Sequence, residues 1–271
     1  QMVLIEQTTP SLLYTTTKRI HYKILALLLL PWLLKKFYKN AWKIIAVSQA
    51  VKNDLEKIIG KEKEIILVYN PVVDEKIIEL SKEETKESIF SETSLLPVIL
   101  TCGRMVKAKD YPTIINAFVK VLKKRPAYLA IMGQGEEEKS IKSMVKSLGI
   151  KDNVVFLGFK NNPYKYFSRA AVFVSASVRE GFSNSIVEAM ACGLPVVSTK
   201  SSGPQEIISD GVNGILVEIG DVDFLAKQIV NLLDNKNFAD EIAEAAKVRS
   251  KDFTIQSSVK KYEEIFRKIN K

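Results

Sequence analysis

The sequence is poor in the side chains that bind metals or form crosslinks. Among its 271 residues there are two cysteines, Cys102 and Cys192, and one histidine, His21. A single histidine excludes a histidine-rich metal centre and leaves a carboxylate one open. Both cysteines lie in apolar stretches, so neither a disulfide framework nor a thiolate site is indicated, and a reducing cytoplasm fits. Zinc-ligand spacings are missing, as are basic stretches interleaved with aromatics, which argues against nucleic-acid binding. No internal repeat or low-complexity tract occurs. The main apolar run, residues 24–34, is only about half the length of a membrane span, and Pro31 interrupts it. Gly133-Gln134-Gly135 has Glu138 where a third glycine would stand, so a dinucleotide fingerprint is not met.

What is present is ordinary globular composition, 46% hydrophobic and 26% charged, enough for one large core or two domains. The net charge is +9, from 40 basic and 31 acidic residues. Lysines and glutamates are mixed along the chain, which describes a solvated surface. Attraction to nucleotide sugars or anionic lipid headgroups is compatible with that charge. Lys18-Arg19, Lys35-Lys36 and Trp32 flank the apolar run. Two readings stay open there: a buried helix of an N-terminal domain, and a helix lying in a membrane interface.

Taken in order, the chain reads as strands at 2–5, 44–47 and 65–68. A helix over 49–59 is capped by Ser48 and closed by Gly60. The polar stretch 74–95 marks a domain boundary. Beyond it, strands at 98–102, 128–132, 154–157, 172–175, 195–198 and 214–217 alternate with helices. Those helices fall near 110–123, 136–147, 163–169, 184–192, 204–209, 222–234 and 237–250. Such alternation predicts an α/β fold with a doubly wound parallel sheet. A last helix over about 255–270 carries Val259, Tyr262, Phe266 and Ile269 on one stripe. The expected domains are 1–75, 76–252 and a returning helix within 253–271.

Residues 179–198 concentrate the chemistry. An apolar strand leads into Arg179, Glu180 and Gly181, and a short helix from about Ser183 to Cys192 ends at Gly193. A helix N-terminus at a strand end presents unpaired N–H groups suited to a phosphate. Ser183, Asn184 and Ser185 are small enough to let an anion approach. Glu180 and Glu188 would repel it unless they face sugar hydroxyls, since an ionised carboxylate only accepts hydrogen bonds. A structural alternative stands beside this: Ser185-x-x-Glu188 is also a legal capping box, and Glu180 a solvated loop acid.

Glu180 and Glu188, separated by seven residues and followed by Ala-Met-Ala-Cys-Gly-Leu-Pro-Val-Val, closely resemble the Glu-x7-Glu region of the family 4 retaining glycosyltransferases. Further matching pieces follow in the family's order. They are Ala46-Val47-Ser48, Asn70-Pro71-Val72, Gly103-Arg104 with Lys109, Leu157-Gly158-Phe159, and Gly203-Pro204-Gln205-Glu206-Ile207-Ile208. The resemblance implies the GT-B fold, two Rossmann-like domains facing each other across a cleft. It also implies that the chain, which starts at Gln1, lacks the start of its N-terminal domain. Implied roles follow residue by residue. Arg104 and Lys109 neutralise the donor's diphosphate, Glu188 accepts hydrogen bonds from the ribose, and Glu180 lies near the donor sugar. Gly103 admits the ligand to the backbone, and Gly158, Phe159 and Lys160 form the base-reading wall. Gly181, Phe182, Ser183, Asn184 and Ser185 meet the sugar or distal phosphate. The implied reaction transfers a hexose or N-acetylhexosamine from a nucleoside diphosphate sugar, a UDP-sugar foremost, to a glycan or lipid-linked acceptor, with no metal or further cofactor. A donor-binding subunit that needs an acceptor-side partner, and a GT-B epimerase or phosphorylase, are the competing readings.

Overall fold

The computed structural model describes residues 3–7, 32–38, 40–91 and 94–268. The loop expected at 8–10 and the apolar run over 24–31 lie outside them. The chain divides into two compact units, Gln1–Pro71 with Glu180–Phe182 and Ile255–Lys271, and Val72–Arg179 with Ser183–Thr254.

The first unit holds a parallel sheet in the order β1 (Val3–Glu6), β2 (Lys43–Ala46), β3 (Ile65–Leu67). Ile44, Ile45 and Ala46 are fully buried, as befits a parallel strand covered on both faces. Helix α1 (Gln49–Ile59) starts where the Ser48 hydroxyl accepts from Val51 N at 3.1 Å. It ends at Gly60, whose φ of 87° few other residues adopt. The closing helix of the chain, here α10 (Ile255–Arg267), puts Ile265 against Ile45 and Val68. Its Ser258 hydroxyl donates to the Tyr69 carbonyl at 2.9 Å. Residues 32–38 are helical, with Trp32 and Phe37 exposed.

The second unit is a six-stranded, all-parallel sheet. Its strands are β4 (Val98–Cys102), β5 (Tyr128–Met132), β6 (Val154–Gly158), β7 (Val172–Ser175), β8 (Val196–Thr199) and β9 (Ile215–Val217). Their spatial order is β6-β5-β4-β7-β8-β9. The order reverses between β4 and β7, and it is beyond the C-terminal ends of the strands at such a reversal that sheets of this kind bind ligands. Six helices of this unit matter below: α2 (Lys76–Ser81), α3 (Tyr111–Leu122), α4 (Glu138–Ser147), α5 (Tyr164–Phe167), α6 (Asn184–Ala191) and α7 (Ser202–Ile207). Helices α8 (Val222–Asp234) and α9 (Lys236–Ser250) complete the layers, α8 against α3 and α9 against α6. The core is formed by Ile99, Ile114, Phe118, Leu129, Val174 and Val197 among others.

Two local expectations change. Ser185 and Glu188 form no capping box: α6 starts at Asn184 with Ser183 as its N-cap, which puts Glu188 in the second turn. Pro204 is the third residue of α7 and not its first, because the helix begins at Ser202. The polar stretch 74–95, read as marking a domain boundary, has structure of its own. It contains α2 and a 3-10 turn at Ser88–Phe90, and both belong to the second unit. Val72 and Val73 also go with that unit, their amides donating to the Phe253 carbonyl at 3.1 and 3.0 Å.

Candidate donor-binding site

The site is built from turns at the C-terminal edge of the larger sheet. Strand β4 runs out at Cys102 into Gly103 and Arg104. The Gly103 amide donates to Met132 O at 3.0 Å, and its carbonyl accepts from the Tyr111 hydroxyl at 2.8 Å. After β5 comes Gly133-Gln134-Gly135, pressed against that turn. A Cβ on Gly133 would lie 2.1 Å from the Gly103 carbonyl oxygen, and one on Gly135 would lie 2.3 Å from the Met105 carbonyl oxygen. Both distances are below any real contact, so only glycine fits. The Gly133 amide in turn donates to Gly158 O at 2.8 Å. Three successive turns are thus locked together backbone to backbone. Sequence reasoning tested the glycine pair only against a dinucleotide fingerprint and missed this role.

Lys109 is brought back over Gly103 by an unusual turn. The 3-10 helix Lys107–Lys109 ends at Asp110, which is left-handed at φ 43°. Asp is among the few residues that tolerate this conformation. Its carboxylate repays the strain by capping α3, accepting from Thr113 N at 3.4 Å and from the Thr113 hydroxyl at 2.6 Å. The Lys109 side chain then passes 3.5 Å from where a Gly103 Cβ would stand. Val178 N donates to Ala108 O at 2.9 Å, which ties the loop after β7 to the same turn. Arg104 is exposed beside Gly103, and its guanidinium makes no hydrogen bond or ion pair among the described residues.

Glu188 lies in the second turn of α6. Burial pushes its carboxyl from 4.5 up to about 7. No hydrogen bond or ion pair to it exists among the described residues. Burial also raises the Cys102 thiol to about 12, with the Glu188 charge adding to the rise and Lys109 opposing it. Glu188 bears likewise on Tyr164 and Cys192, whose rises to about 12 come mainly from burial. Lys109 and Glu188 thus both act electrostatically on Cys102, the residue before Gly103, which its apolar sequence context did not mark as part of a site. At the start of α6 the Ser183 hydroxyl is fully buried and has no hydrogen-bond partner among the described residues, so it does not cap its own helix.

The remaining expected residues fall in two other places. Gly158 ends β6 with φ 69°, Phe159 is 71% exposed, and Lys160 is engaged by Glu87 at 2.6 Å. Glu180, Gly181 and Phe182 group with the first unit, where Phe182 lies against Tyr69 with ring centroids 5.8 Å apart. Among the described residues no group of three or more histidine, cysteine, aspartate or glutamate side chains could hold a metal ion.

A parallel sheet whose order reverses beside basic side chains, a helix N-terminus and a buried carboxylate is the arrangement of the doubly wound α/β class, which binds ligands at that edge. The family model described as glycosyl transferases group 1 matches residues 81–249, and the chain belongs to that family. It is similar, at 30% identity over 255 residues, to a Campylobacter jejuni N-acetylgalactosamine-N,N'-diacetylbacillosaminyl-diphospho-undecaprenol 4-alpha-N-acetylgalactosaminyltransferase. That match covers 93% of this chain and 66% of the relative. A lipopolysaccharide core biosynthesis glycosyltransferase of Rhizobium meliloti is 35% identical over 148 residues, 55% of this chain and 43% of its own. The chain thus spans between about two fifths and two thirds of the length of these relatives. Among solved structures it resembles Anabaena HepE in complex with UDP and glucose, with a TM-score of 0.75 and 26% identity over 84% of this chain and 64% of that one. TarM shares the fold, with a TM-score of 0.77 at 21% identity over 98% of this chain and 50% of that one. The architecture is that of the GT-B glycosyltransferases.

Proposed function

We propose that the chain binds the donor in a retaining glycosyltransferase. The enzyme would move a hexose or N-acetylhexosamine from a UDP-sugar to a glycan or lipid-linked acceptor in polysaccharide or glycoconjugate synthesis. The observation that carries this reading is Lys109 lying over the Gly103 turn, with Lys109 and Glu188 both acting on Cys102 and with an exposed Arg104 guanidinium that has no partner among the described residues. The uridine diphosphate of the HepE complexes supports UDP as the donor's nucleotide, and the lipid-linked acceptor in the Campylobacter relative's name supports such an acceptor here.

In this reading the phosphates lie against Arg104, Lys109 and the first N–H groups of α6. A guanidinium fork and a point charge suit a diphosphate. Glu188 accepts hydrogen bonds from the ribose hydroxyls, which compensates the burial of its carboxylate. As the bond from the sugar's anomeric carbon to the β-phosphate oxygen breaks, negative charge collects on that oxygen, and Arg104 and Lys109 stabilise it in place. The acceptor hydroxyl attacks the anomeric carbon from the face that the phosphate leaves and gives its proton to the departing diphosphate. Configuration is retained without a metal ion and without a sugar-enzyme bond. Glu180 acts near the donor sugar.

A thermal-shift panel of UDP, GDP, ADP and their sugars tests the donor site. Stabilisation by UDP, lost in Arg104→Ala and Glu188→Ala, is the expected result; no shift with any nucleotide refutes the reading. The enzyme would work as a peripheral protein on the cytoplasmic face of a membrane, contacting it through residues 18–39. Within that stretch Trp32 is 57% and Phe37 59% exposed beside Lys35 and Lys36, which supports this. No described helix is long and apolar enough to cross a membrane. Failure to pellet with either neutral or anionic vesicles would remove the contact.

A further inference from the structure

The segment 76–90 and the loop after β6 are far apart in the chain and clamped together in the fold. The Glu87 carboxylate accepts from Lys160 Nζ at 2.6 Å and from the Tyr166 hydroxyl at 3.0 Å to each oxygen. Phe90 packs edge-on against the Tyr166 ring, with centroids 5.3 Å apart. The Asn162 side chain donates to Leu80 O at 2.8 Å, while its oxygen accepts from Tyr164 N at 3.0 Å. The loop between Gly158 and Tyr164 is therefore held at both ends by polar contacts to 76–90.

These contacts go beyond an ordinary surface ion pair. The Glu87 and Lys160 side chains are 23% and 27% exposed, and they share a tyrosine hydroxyl and a ring beneath. A linked network of this kind is worth more than an isolated exposed pair. Burial alone would raise the Glu87 carboxyl, but the bonds from Lys160 and Tyr166 hold it below the usual glutamate value. The bond from Glu87 in turn raises Lys160. Both groups stay charged through neutral pH.

What the clamp leaves free is Phe159. Its ring is 71% exposed at the tip of a turn that Gly133 joins to the Gly103 turn. An aromatic ring fixed in water at the mouth of a nucleotide site offers a flat face to a base. With Lys160 tied to Glu87, the ring and the loop backbone are what remains to face that base. We propose that Glu87 is a positioning residue for the donor's base: through Lys160 and Tyr166 it sets the loop so that Phe159 can stack. This inference rests on the donor-site reading above.

Calorimetry with UDP and with inorganic pyrophosphate separates base from phosphate, using the full chain and the variants Glu87→Gln, Lys160→Met, the two combined, and Phe159→Ala. Glu87→Gln is expected to weaken UDP binding about tenfold, the scale of a lost stacking or charge-assisted contact. Pyrophosphate binding stays unchanged. The combined variant is no weaker than Glu87→Gln, since both act through one pair. Phe159→Ala shows the same selective loss. Equal weakening of UDP and pyrophosphate would mean that Glu87 only supports the fold and would overturn the proposal. So would unchanged UDP affinity in Glu87→Gln, or in Phe159→Ala. A wild-type chain that binds none of UDP, GDP and ADP overturns the donor site itself, an outcome distinct from these.

Discussion

Replacing Glu188 by glutamine tests the central physical claim without any substrate. The carboxyl of Glu188 is mostly buried, lacks a hydrogen-bond partner among the described residues, and titrates near 7 where an ordinary glutamate titrates at 4.5. The folded state therefore holds a proton that the unfolded chain has already released. The sign follows: this carboxyl costs the fold nothing below the unfolded value, increasingly more as pH rises from 4.5 to 7, and a constant amount above. The displacement corresponds to about 3 kcal/mol at the alkaline end. Glutamine keeps the shape and removes the charge, although its amide carries a burial cost of about 1 kcal/mol of its own. Urea unfolding at pH 5 and pH 8.5 separates the two, because the amide cost does not change with pH. Relative to wild type, Glu188→Gln should gain about 2.5 kcal/mol between those two conditions. A stability difference that is the same at both pH values would refute the reasoning, and the carboxylate would then have to be solvated or paired. The same variant should lose nucleotide affinity, since an amide offers the ribose one accepting oxygen in place of a charged pair.

Donor binding should carry the same pH signature: UDP affinity of the wild type rises between pH 6 and pH 8, and calorimetry in buffers of different ionisation enthalpy detects proton release, because ribose hydroxyls bind the ionised carboxyl. An affinity that falls over that range would count against Glu188 as the ribose acceptor. Gly133→Ala should displace the Gly103 turn, since its Cβ would sit 2.1 Å from a carbonyl oxygen; a loss of about 2 kcal/mol or more in thermal or urea unfolding is expected, and wild-type stability would show the turns to be loose. Asp110→Ala removes the α3 cap and puts a non-tolerant residue at φ 43°; a cost of about 1–2 kcal/mol is expected from the two together. Lys109→Ala should lower turnover in the full enzyme while leaving its unfolding midpoint near wild type; normal turnover would remove it from leaving-group stabilisation.

Much of the fold was legible because parallel strands buried on both faces are short continuous apolar runs. Ile99, Val172 and Val196 announce themselves that way, and the glycines after helices punctuate the rest. At the sheet edge the sequence pointed to a turn whose residues lie close in the chain, and Lys109 does come back over Gly103. Three features were not legible. The capping-box spacing of Ser185 and Glu188 is real in the sequence, but α6 starts two residues earlier than that box requires, so Glu188 falls beyond the helix's first turn. The bond between Glu87 and Lys160 spans 73 residues, and in a chain where lysine and glutamate alternate everywhere, nothing local distinguishes that pair from a solvated one. Cys102 was hidden for a similar reason: an apolar strand end looks the same whether it faces the core or a crevice.

The backbone interlock of the turns at Gly103, Gly133 and Gly158 limits how this surface can change. A residue inserted into any one of them has to move the other two. Altered preference for the nucleotide is therefore open to exchange of outward-facing side chains such as Phe159 and Arg104, and closed to changes in turn length. An engineer seeking a different donor would leave the glycines alone and vary what projects from between them.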